Sequence, residues 1–338
     1  MILIDCLHIN NGGGKILLDV LIDNIESAGL EVHYILDNRV KGNHPPIKSN
    51  PITYLEASFF KRRAFYKNNK NIISKVFCFG NIPPPIKLSC DVYTYFQNTL
   101  YLVYESGLNF KLAIINKLKS KIVRLLSSNT SEWWVQTDNV KKLMIDRWGV
   151  EADRIKIYPF YQDIVLDDKE SLQKDFQKYL YVSNGHPHKM HQNLIEAFKR
   201  VAEDNSSLEL FLTISEQYPL LIEQINTLQS EGYKIWNLGW KSRDELVDYY
   251  MEAGIFVFPS VYESLGLGLV EASQFDMVIL ASDLPFVKNV VEASMYFDPN
   301  SVDSIEMCLR QSQELKLKPS KTLLPNTIHE MLERLKIN

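Results

Sequence analysis

Cysteine is scarce in this sequence, and its few copies lie far apart. The four cysteines are Cys6, Cys78, Cys90 and Cys308, and no two of them form a CxxC pair. Scattered thiols offer neither a disulfide framework nor a zinc site, and they are typical of a reducing compartment. We therefore expect a cytoplasmic protein that holds its fold without disulfides.

Long apolar runs are also missing. No segment approaches the length of a membrane-spanning helix, and Asp5 and His8 interrupt the apolar start of the chain, which excludes a signal peptide there. Internal repeats and low-complexity tracts are not found. The chain has 338 residues, of which 46% are hydrophobic and 23% charged. This length and composition predict an ordinary globular protein of two domains.

Positive and negative charges are divided unevenly along the chain. Residues 1–160 carry 21 Lys and Arg against 14 Asp and Glu, whereas the remainder carries 16 against 27. The first half should therefore face something anionic. We expect no nucleic-acid partner, because the basic residues fall on no recognition motif.

Two basic segments suggest an anionic membrane surface instead. Residues 57–75 interleave aromatic side chains with six cations, which are Lys61, Arg62, Arg63, Lys67, Lys70 and Lys75. Residues 110–126 predict an amphipathic helix that carries Lys111, Lys117, Lys119, Lys121 and Arg124. Together they make a peripheral contact with an anionic membrane a hypothesis to test. An ordinary solvated helix face over a core is the more common explanation of a helix such as 110–126.

Strand-like apolar runs alternate with helical periodicity through both halves. Met1–Cys6 predicts a strand, and the glycines Gly12, Gly13 and Gly14 separate it from a helix and from a second strand at Val32–Leu36. This βαβ unit lacks the dinucleotide fingerprint, since GxGxxG would require glycine at Leu17. In the second half the alternation is regular, and Ser242 with Glu245 predicts a helix-capping box. The pattern predicts doubly wound α/β domains.

The stretch 254–299 contains the clearest candidate site. An apolar run at Ile255–Phe258 predicts a buried strand, and a helix is expected from about Leu269. The loop between them carries Glu263, Ser264, Leu265, Gly266, Leu267 and Gly268. Amides at a helix start bind phosphate, whereas carboxylates such as Glu263 and Glu271 accept hydrogen bonds from hydroxyls. A nucleotide sugar carries both kinds of group.

The sequence FPSVYESLGLGLVEA, residues 258–272, resembles the E-x7-E signature of the family 4 retaining glycosyltransferases. This resemblance implies the GT-B fold, with two Rossmann-like domains facing across a cleft. The acceptor-side domain would be residues 1–160 and the donor domain residues 161–320. Residues 321–338 would form a helix that packs back on the first domain.

The resemblance also implies roles for individual residues. Glu263 would orient the sugar, Glu271 would accept from the ribose, and Lys189, in a PHKMH segment, would meet the diphosphate. The donor-binding set would be Gly12, Gly13, Gly14, His188, Gly239, Ser264, Leu265, Gly266, Leu267 and Glu271. Gln97 and Asn98 stand about where several relatives carry an acceptor-side histidine.

Three histidines between positions 186 and 191 also suggest a metal site. We favour a phosphate site around Lys189, because no acidic or cysteine partner lies nearby in sequence. No DxD motif ends a predicted strand, so we expect no essential divalent cation and no cofactor beyond the donor.

The implied reaction moves a sugar from a nucleotide diphosphosugar to an acceptor hydroxyl with retained configuration. A lipid-linked saccharide of bacterial surface polysaccharide (O-antigen, capsule or lipopolysaccharide) is the expected acceptor. Two alternatives remain open: a catalytically inactive sugar-nucleotide-binding homologue and a nucleotide-sugar epimerase of the same fold. Altered positions favour the first, since relatives usually carry glycine where Asp276 stands and often proline where Gly268 stands.

Overall fold

The computed structural model describes residues 1–103, 110–164 and 173–336, and for residues 110–113 it describes the backbone alone. The chain folds into two compact units. Unit 1 consists of Met1–Gln162 together with Pro325–Asn338, and unit 2 consists of Asp163–Leu324. The linker predicted at residues 163–171 lies mostly outside the described residues.

Unit 1 is built on a seven-stranded parallel sheet. Its strands are β1 (Ile2–Asp5), β2 (His33–Asp37), β3 (Ile52–Leu55), β4 (Lys75–Cys78), β5 (Asp91–Phe96), β6 (Glu132–Val135) and β7 (Ile155–Ile157). Its first helices are α1 (Gly12–Ser27), α2 (Phe59–Asn69), α3 (Phe110–Leu125) and α4 (Asp138–Trp148). The strand order is β3-β2-β1-β4-β5-β6-β7, so the sheet reverses its direction of growth between β1 and β4.

Aromatic rings fill the centre of unit 1. Trp134 stacks on Tyr93 with ring centroids 4.6 Å apart and tilts against Phe77 at 5.2 Å. Phe160, which follows β7, lies 5.4 Å from Tyr95. All five side chains are buried. Rings of this size bury a large apolar area. The strands that carry them are therefore short apolar runs with little polar alternation.

A buried ion pair ties α2 to β1 and corrects part of the membrane hypothesis. Arg62 is only 3% exposed, and its Nε donates to Asp5 Oδ2 at 2.7 Å. Its two Nη groups donate to the carbonyl oxygens of Pro83 and Ile82 at 2.9 and 2.8 Å. Lys75 is also buried, and its Nζ donates to Leu335 O. Two of the six cations predicted to face a membrane are therefore internal, because buried carboxylate and carbonyl oxygens require them there.

Unit 2 contains a six-stranded parallel sheet and a small antiparallel pair. The strands are β8 (Asp175–Tyr181), β9 (Glu209–Leu212), β10 (Ile235–Asn237), β11 (Ala253–Phe258), β12 (Val278–Ser282), β13 (Val291–Glu292), β14 (Met295–Phe297) and β15 (Lys321–Thr322). The large sheet has the order β10-β9-β8-β11-β12-β14, and β13 pairs with β15. Here the direction of growth reverses between β8 and β11.

The helices of unit 2 begin close to where the pattern places them. They are α5 (His191–Asp204), α6 (Pro219–Ser230), α7 (Arg243–Glu252), α8 (Leu267–Gln274), α9 (Pro285–Val290) and α10 (Val302–Glu314). The capping box of α7 is confirmed, since Ser242 and Glu245 bond each other's backbone N–H. Helix α5 starts directly after Met190, which takes a left-handed conformation (φ 53°) at the N-cap position.

The final helix, α11 (Ile328–Lys336), belongs to unit 1. It starts seven residues after the predicted start at residue 321, and Lys321 and Thr322 form strand β15 instead. Met331, Leu332 and Leu335 are buried, and Arg334 pairs with Glu132 at 3.1 Å. Searched over the described residues, the structure has no helix that is both long enough and apolar enough to cross a membrane.

Candidate functional site

Two loops meet where the sheet of unit 2 reverses. Because β8 and β11 are adjacent and parallel, the loops that follow them lie side by side at the carboxyl edge. Open α/β sheets bind their ligands at such a switch point. The loop after β8 carries Lys189, and the loop after β11 carries Glu263. The topology thus brings together residues separated by 74 positions.

Helix α8 begins directly at this edge. Gly266 has φ +72°, a left-handed conformation that a side chain would strain, and it forms the N-cap. A Cβ on Gly268 would lie 2.9 Å from Phe256 Cζ, so this glycine lets α8 pack tightly on β11. Leu265 is buried and anchors the loop. The first turn of α8 lies where the sequence predicts a phosphate site, and that role stays a prediction based on the free amides of a helix start.

Glu263 is held by two neighbours. Its Oε1 accepts from Ser260 Oγ at 2.7 Å and from Lys189 Nζ, and the lysine and glutamate side chains are 14% and 16% exposed. The predicted sugar-orienting carboxylate and the predicted diphosphate lysine are therefore direct partners. The resemblance implied a separate ligand group for each residue and did not indicate this ion pair.

The segment 184–191 is fixed to the β11 loop through its backbone. Val261 N donates to His188 O at 2.9 Å. The His188 ring stacks on His186 with centroids 5.6 Å apart, and burial, reinforced by the Lys189 charge, lowers the pKa of His188 to about 4. Burial likewise lowers the pKa of His186. Both rings are neutral near pH 7, so Lys189 supplies the positive charge of this segment.

His191 lies deeper than the other two histidines. Its ring packs against Tyr181 at 4.8 Å, and within the described ranges neither ring nitrogen has a hydrogen-bond partner. Burial lowers the pKa of His191 to about 3. Across the described residues, no group of three or more His, Cys, Asp or Glu side chains could hold a metal ion.

Glu271 occupies a separate, more buried position. Its Oε1 accepts from Arg243 Nε at 2.9 Å and from Arg243 Nη2, and its Oε2 accepts from Tyr250 OH at 2.7 Å. Burial and the Glu271 charge raise the pKa of Tyr250, so the phenol remains a donor. Sequence reasoning missed Arg243, Tyr250 and Ser260. Arg243 and Tyr250 lie 28 and 21 positions from Glu271, so no local spacing pattern marks them as its partners.

Other predicted donor residues lie on nearby or separate elements. Gly239 follows β10 with φ +71°, and its N–H donates to Asn237 Oδ1 at 3.2 Å. Ser264 lies between Glu263 and the helix cap and is partly exposed.

In unit 1, the glycines expected between the first strand and the first helix, Gly12 to Gly14, form the first turn of α1 itself. Asn11 is the N-cap, and Gly12 has φ +60°. A Cβ on Gly14 would lie 3.7 Å from Gln97 Nε2, so the predicted acceptor-side glutamine lies beside this helix start. Asn98 instead caps the next turn through Leu100 N at 3.2 Å. Gln97 is thus the better placed of the two to meet a ligand.

A cavity of about 390 Å³ lies on the other side of the 184–191 segment. It is lined by Gly185, His186, Met190, His191 and Tyr218 together with neighbouring residues of α5 and α6. Lys189, Glu263 and Glu271 do not line it. The cavity is therefore distinct from the charged positions at the switch point.

Comparison with known proteins finds that this chain resembles glycosyltransferases. Residues 164–319, just under half of the chain, match the family model described as Glycosyl transferases group 1. The chain is 29% identical over 199 residues to the O-antigen chain mannosyltransferase B of Escherichia coli, which covers 52% of each protein. The chain spans about half the length of the curated relatives it matches. These findings support a transferase.

Two solved structures share the whole architecture. The apo form of the lipopolysaccharide outer core galactosyltransferase WaaB superposes with a TM-score of 0.64 at 15% identity, covering 93% of this chain and 91% of its own. Anabaena Alr3699/HepE in complex with UDP and glucose superposes with a TM-score of 0.66 at 12% identity, covering 93% and 89%. Such low identity establishes the fold alone. The chain has the GT-B fold, and its residues 164–319 match the group 1 glycosyl transferases.

Proposed function

We propose that this protein is a retaining glycosyltransferase that moves a sugar from a nucleotide diphosphosugar to an acceptor hydroxyl. The observation that carries the proposal is the Lys189–Glu263 pair at the switch point of unit 2, beside the amides of α8. A cation and helix amides can stabilise a departing diphosphate, and a carboxylate can hold sugar hydroxyls. The proposal gives no role to a divalent cation.

We further propose a lipid-linked saccharide of bacterial surface polysaccharide as the acceptor. The support comes from similar proteins. One relative is an O-antigen chain mannosyltransferase, and one structural neighbour is a lipopolysaccharide outer core galactosyltransferase. A place at the inner membrane surface would suit such an acceptor, and α3 carries exposed apolar and basic side chains that fit it. A structural neighbour bound to UDP and glucose supports a nucleotide-sugar donor.

The division of labour between the two glutamates provides the test. Glu263→Gln should abolish most turnover without weakening nucleotide binding, because its proposed contacts are to the sugar and strengthen in the transition state. Glu271→Ala should weaken nucleotide binding by about 1–3 kcal/mol through loss of a hydrogen bond to a charged group. Calorimetry with UDP and GDP and turnover assays with the matching donors measure both effects.

Equal losses of nucleotide affinity in both variants would contradict the assignment. Incubation of the wild type with donor alone separates the alternatives. Slow hydrolysis with nucleotide release indicates a transferase, a free epimer indicates an epimerase, and binding without turnover indicates an inactive homologue. Proton NMR of the transferase product reports whether the anomeric configuration is retained.

A further inference from the structure

The sheet of unit 1 has its own switch point, between β1 and β4, and His8 lies at its carboxyl edge. Open α/β sheets bind their ligands at such a point. His8 has a left-handed backbone, with φ 80°. A residue that carries a side chain rarely adopts this conformation, because its Cβ comes close to a carbonyl oxygen. The surrounding structure must therefore hold the loop in place.

Two buried carboxylates hold this loop by its backbone. Asp5 Oδ1 accepts from Leu7 N at 3.2 Å, and the Asp37 carboxylate accepts from the backbone N–H of His8. Both aspartate side chains are only 1% exposed. A Cβ on Gly80 would lie 2.2 Å from Leu7 O, so the loop after β4 packs directly against the loop after β1. Two strand ends and a neighbouring loop thus fix the position of the histidine.

The charges around the His8 ring balance one another. Arg62 and Arg39 face it with positive charge, and Asp5 and Asp37 face it with negative charge. Each arginine pairs with one of the aspartates at 2.7 Å. Burial, reinforced by the Arg62 charge, lowers the pKa of His8, so its imidazole is neutral near pH 7. Within the described residues the ring makes no hydrogen bond, which leaves one donor nitrogen and one acceptor nitrogen for a ligand.

We propose that His8 hydrogen-bonds to a hydroxyl group of the acceptor saccharide. This inference rests on the proposed function, in which the acceptor is a saccharide. A hydroxyl both donates and accepts, so it matches either nitrogen of a neutral imidazole. The balanced surroundings favour neither an anion nor a cation, and an uncharged polar ligand suits them best.

Gln97, the residue predicted on the acceptor side, belongs to the same edge. The strands β1, β4 and β5 are adjacent and parallel, so the loops that follow them lie side by side. Asn81, in the loop after β4, accepts from Gln97 N at 2.6 Å, and Gln97 Nε2 donates to Phe79 O at 3.2 Å. The edge that carries His8 therefore carries a second fixed polar side chain.

The experiment compares two rates in the wild type and in His8→Gly. One is nucleotide release from GDP-mannose, UDP-galactose or UDP-glucose in water alone. The other is release accelerated by methyl α-mannoside or methyl α-galactoside. Glycine adopts the left-handed backbone without strain, so donor hydrolysis should stay within about 3-fold. Loss of one hydrogen bond should raise the KM for the saccharide by about 3–10-fold.

The matched control is Asp276→Gly. Asp276 lies in unit 2 and is also a left-handed residue with a side chain (φ 52°), so the same change is made without removing an imidazole. Both rates should stay at wild-type values in this variant.

The dependence on pH separates ligand binding from a structural role. In the wild type, the ratio of saccharide-dependent release to hydrolysis should be constant above pH 6.5. It should fall at lower pH, as His8 takes up a proton and loses its acceptor nitrogen. The ratio should not depend on pH in His8→Gly.

A parallel loss of hydrolysis and saccharide-dependent release in His8→Gly would show that the imidazole only supports the fold, and would overturn the inference. An unchanged KM would overturn it too, as would hydrolysis that no saccharide accelerates in the wild type. If wild-type protein releases no nucleotide from any of the three donors, the proposed function itself fails and the inference falls with it.

Discussion

Lys189 and Glu263 carry opposite charges within one small site, and each is the other's partner in the structure. In the function proposed above, a diphosphate would therefore compete with Glu263 for the lysine. The competition favours the ligand most when its negative charge is greatest, which is after the glycosidic bond has broken. An interaction that strengthens in this way lowers the barrier more than it improves ground-state binding.

Lys189→Ala should lower kcat by at least roughly 100-fold, which corresponds to about 3 kcal/mol in the barrier. Ser183→Ala is the matched control just before the same segment, because Ser183 is a neutral side chain whose Oγ donates to the neighbouring Asn184 O at 3.3 Å. Steady-state kinetics of both variants with the correct donor decide the matter. Near-normal kcat in Lys189→Ala would show that the 184–191 segment does not meet the diphosphate.

His191 makes stability depend on pH. Burial lowers its pKa to about 3, below the ordinary value of 6.5, so between these values the unfolded chain binds a proton that the folded chain does not. The stabilisation is fully present above pH 6.5 and is lost as pH falls toward 3. From pH 7 to pH 5 this residue should cost about 2 kcal/mol of unfolding free energy.

Chemical denaturation at the two pH values measures the loss. His191→Phe keeps a ring against Tyr181 but cannot titrate, so its stability should fall by about 2 kcal/mol less over the same interval. An identical pH dependence in wild type and variant would assign the effect to other groups.

At the scale of elements, α3 has an unusually exposed apolar stripe. Ile114, Leu118, Ile122 and Leu125 lie on one face at helical spacing and are between 43% and 78% exposed. The basic residues Lys117, Lys119, Lys121 and Arg124 are exposed as well, whereas the side chain of Lys111 lies outside the described residues. Apolar and basic side chains on one exposed helix are the composition that binds anionic membrane surfaces.

Vesicle sedimentation can test this helix directly. Lys117→Gln with Lys121→Gln should weaken binding to phosphatidylglycerol vesicles by roughly 30-fold at low salt, since each cation contributes about 1 kcal/mol. Leu118→Gln with Ile122→Gln should remove the binding that persists at high salt. Leu220→Gln, at an 81% exposed leucine of unit 2, is the control. Sedimentation unchanged in both double variants would leave α3 as a solvated face.

Arg62 is excluded from such experiments because its removal would leave Asp5 buried without its cation.

At the scale of the whole molecule, the sequence was sufficient for the fold class. Both sheets are parallel and buried, so their strands are apolar runs that stand out between helices. The capping box of α7 was predictable because all its parts lie within four residues. The loop before α8 could be singled out from the sequence because glycine and carboxylate residues mark it locally, and its role as a site stays a prediction.

Partners distant in sequence were not predictable. Arg62 resembles a surface cation by composition, yet its place is decided by Asp5, 57 positions earlier. Arg243 resembles the first residue of an ordinary exposed helix, and only the fold brings it to Glu271. In both cases the deciding contact joins two elements, and no local pattern records which elements meet.

Unit 1 is discontinuous, and this has a consequence for synthesis on the ribosome. Its last helix, α11, packs on the rest of the unit through the buried side chains of Met331, Leu332 and Leu335, and Leu335 O accepts a hydrogen bond from Lys75 Nζ. More than 160 residues separate Gln162 from Pro325, so at ordinary elongation rates the first part of unit 1 waits on the order of 10–30 s for its final helix. Unit 2 is contiguous, so all of it is synthesised before that helix. A chain cut before residue 325 and released from the ribosome would therefore contain the whole of unit 2 and leave an apolar face of unit 1 uncovered, the kind of surface that chaperones bind.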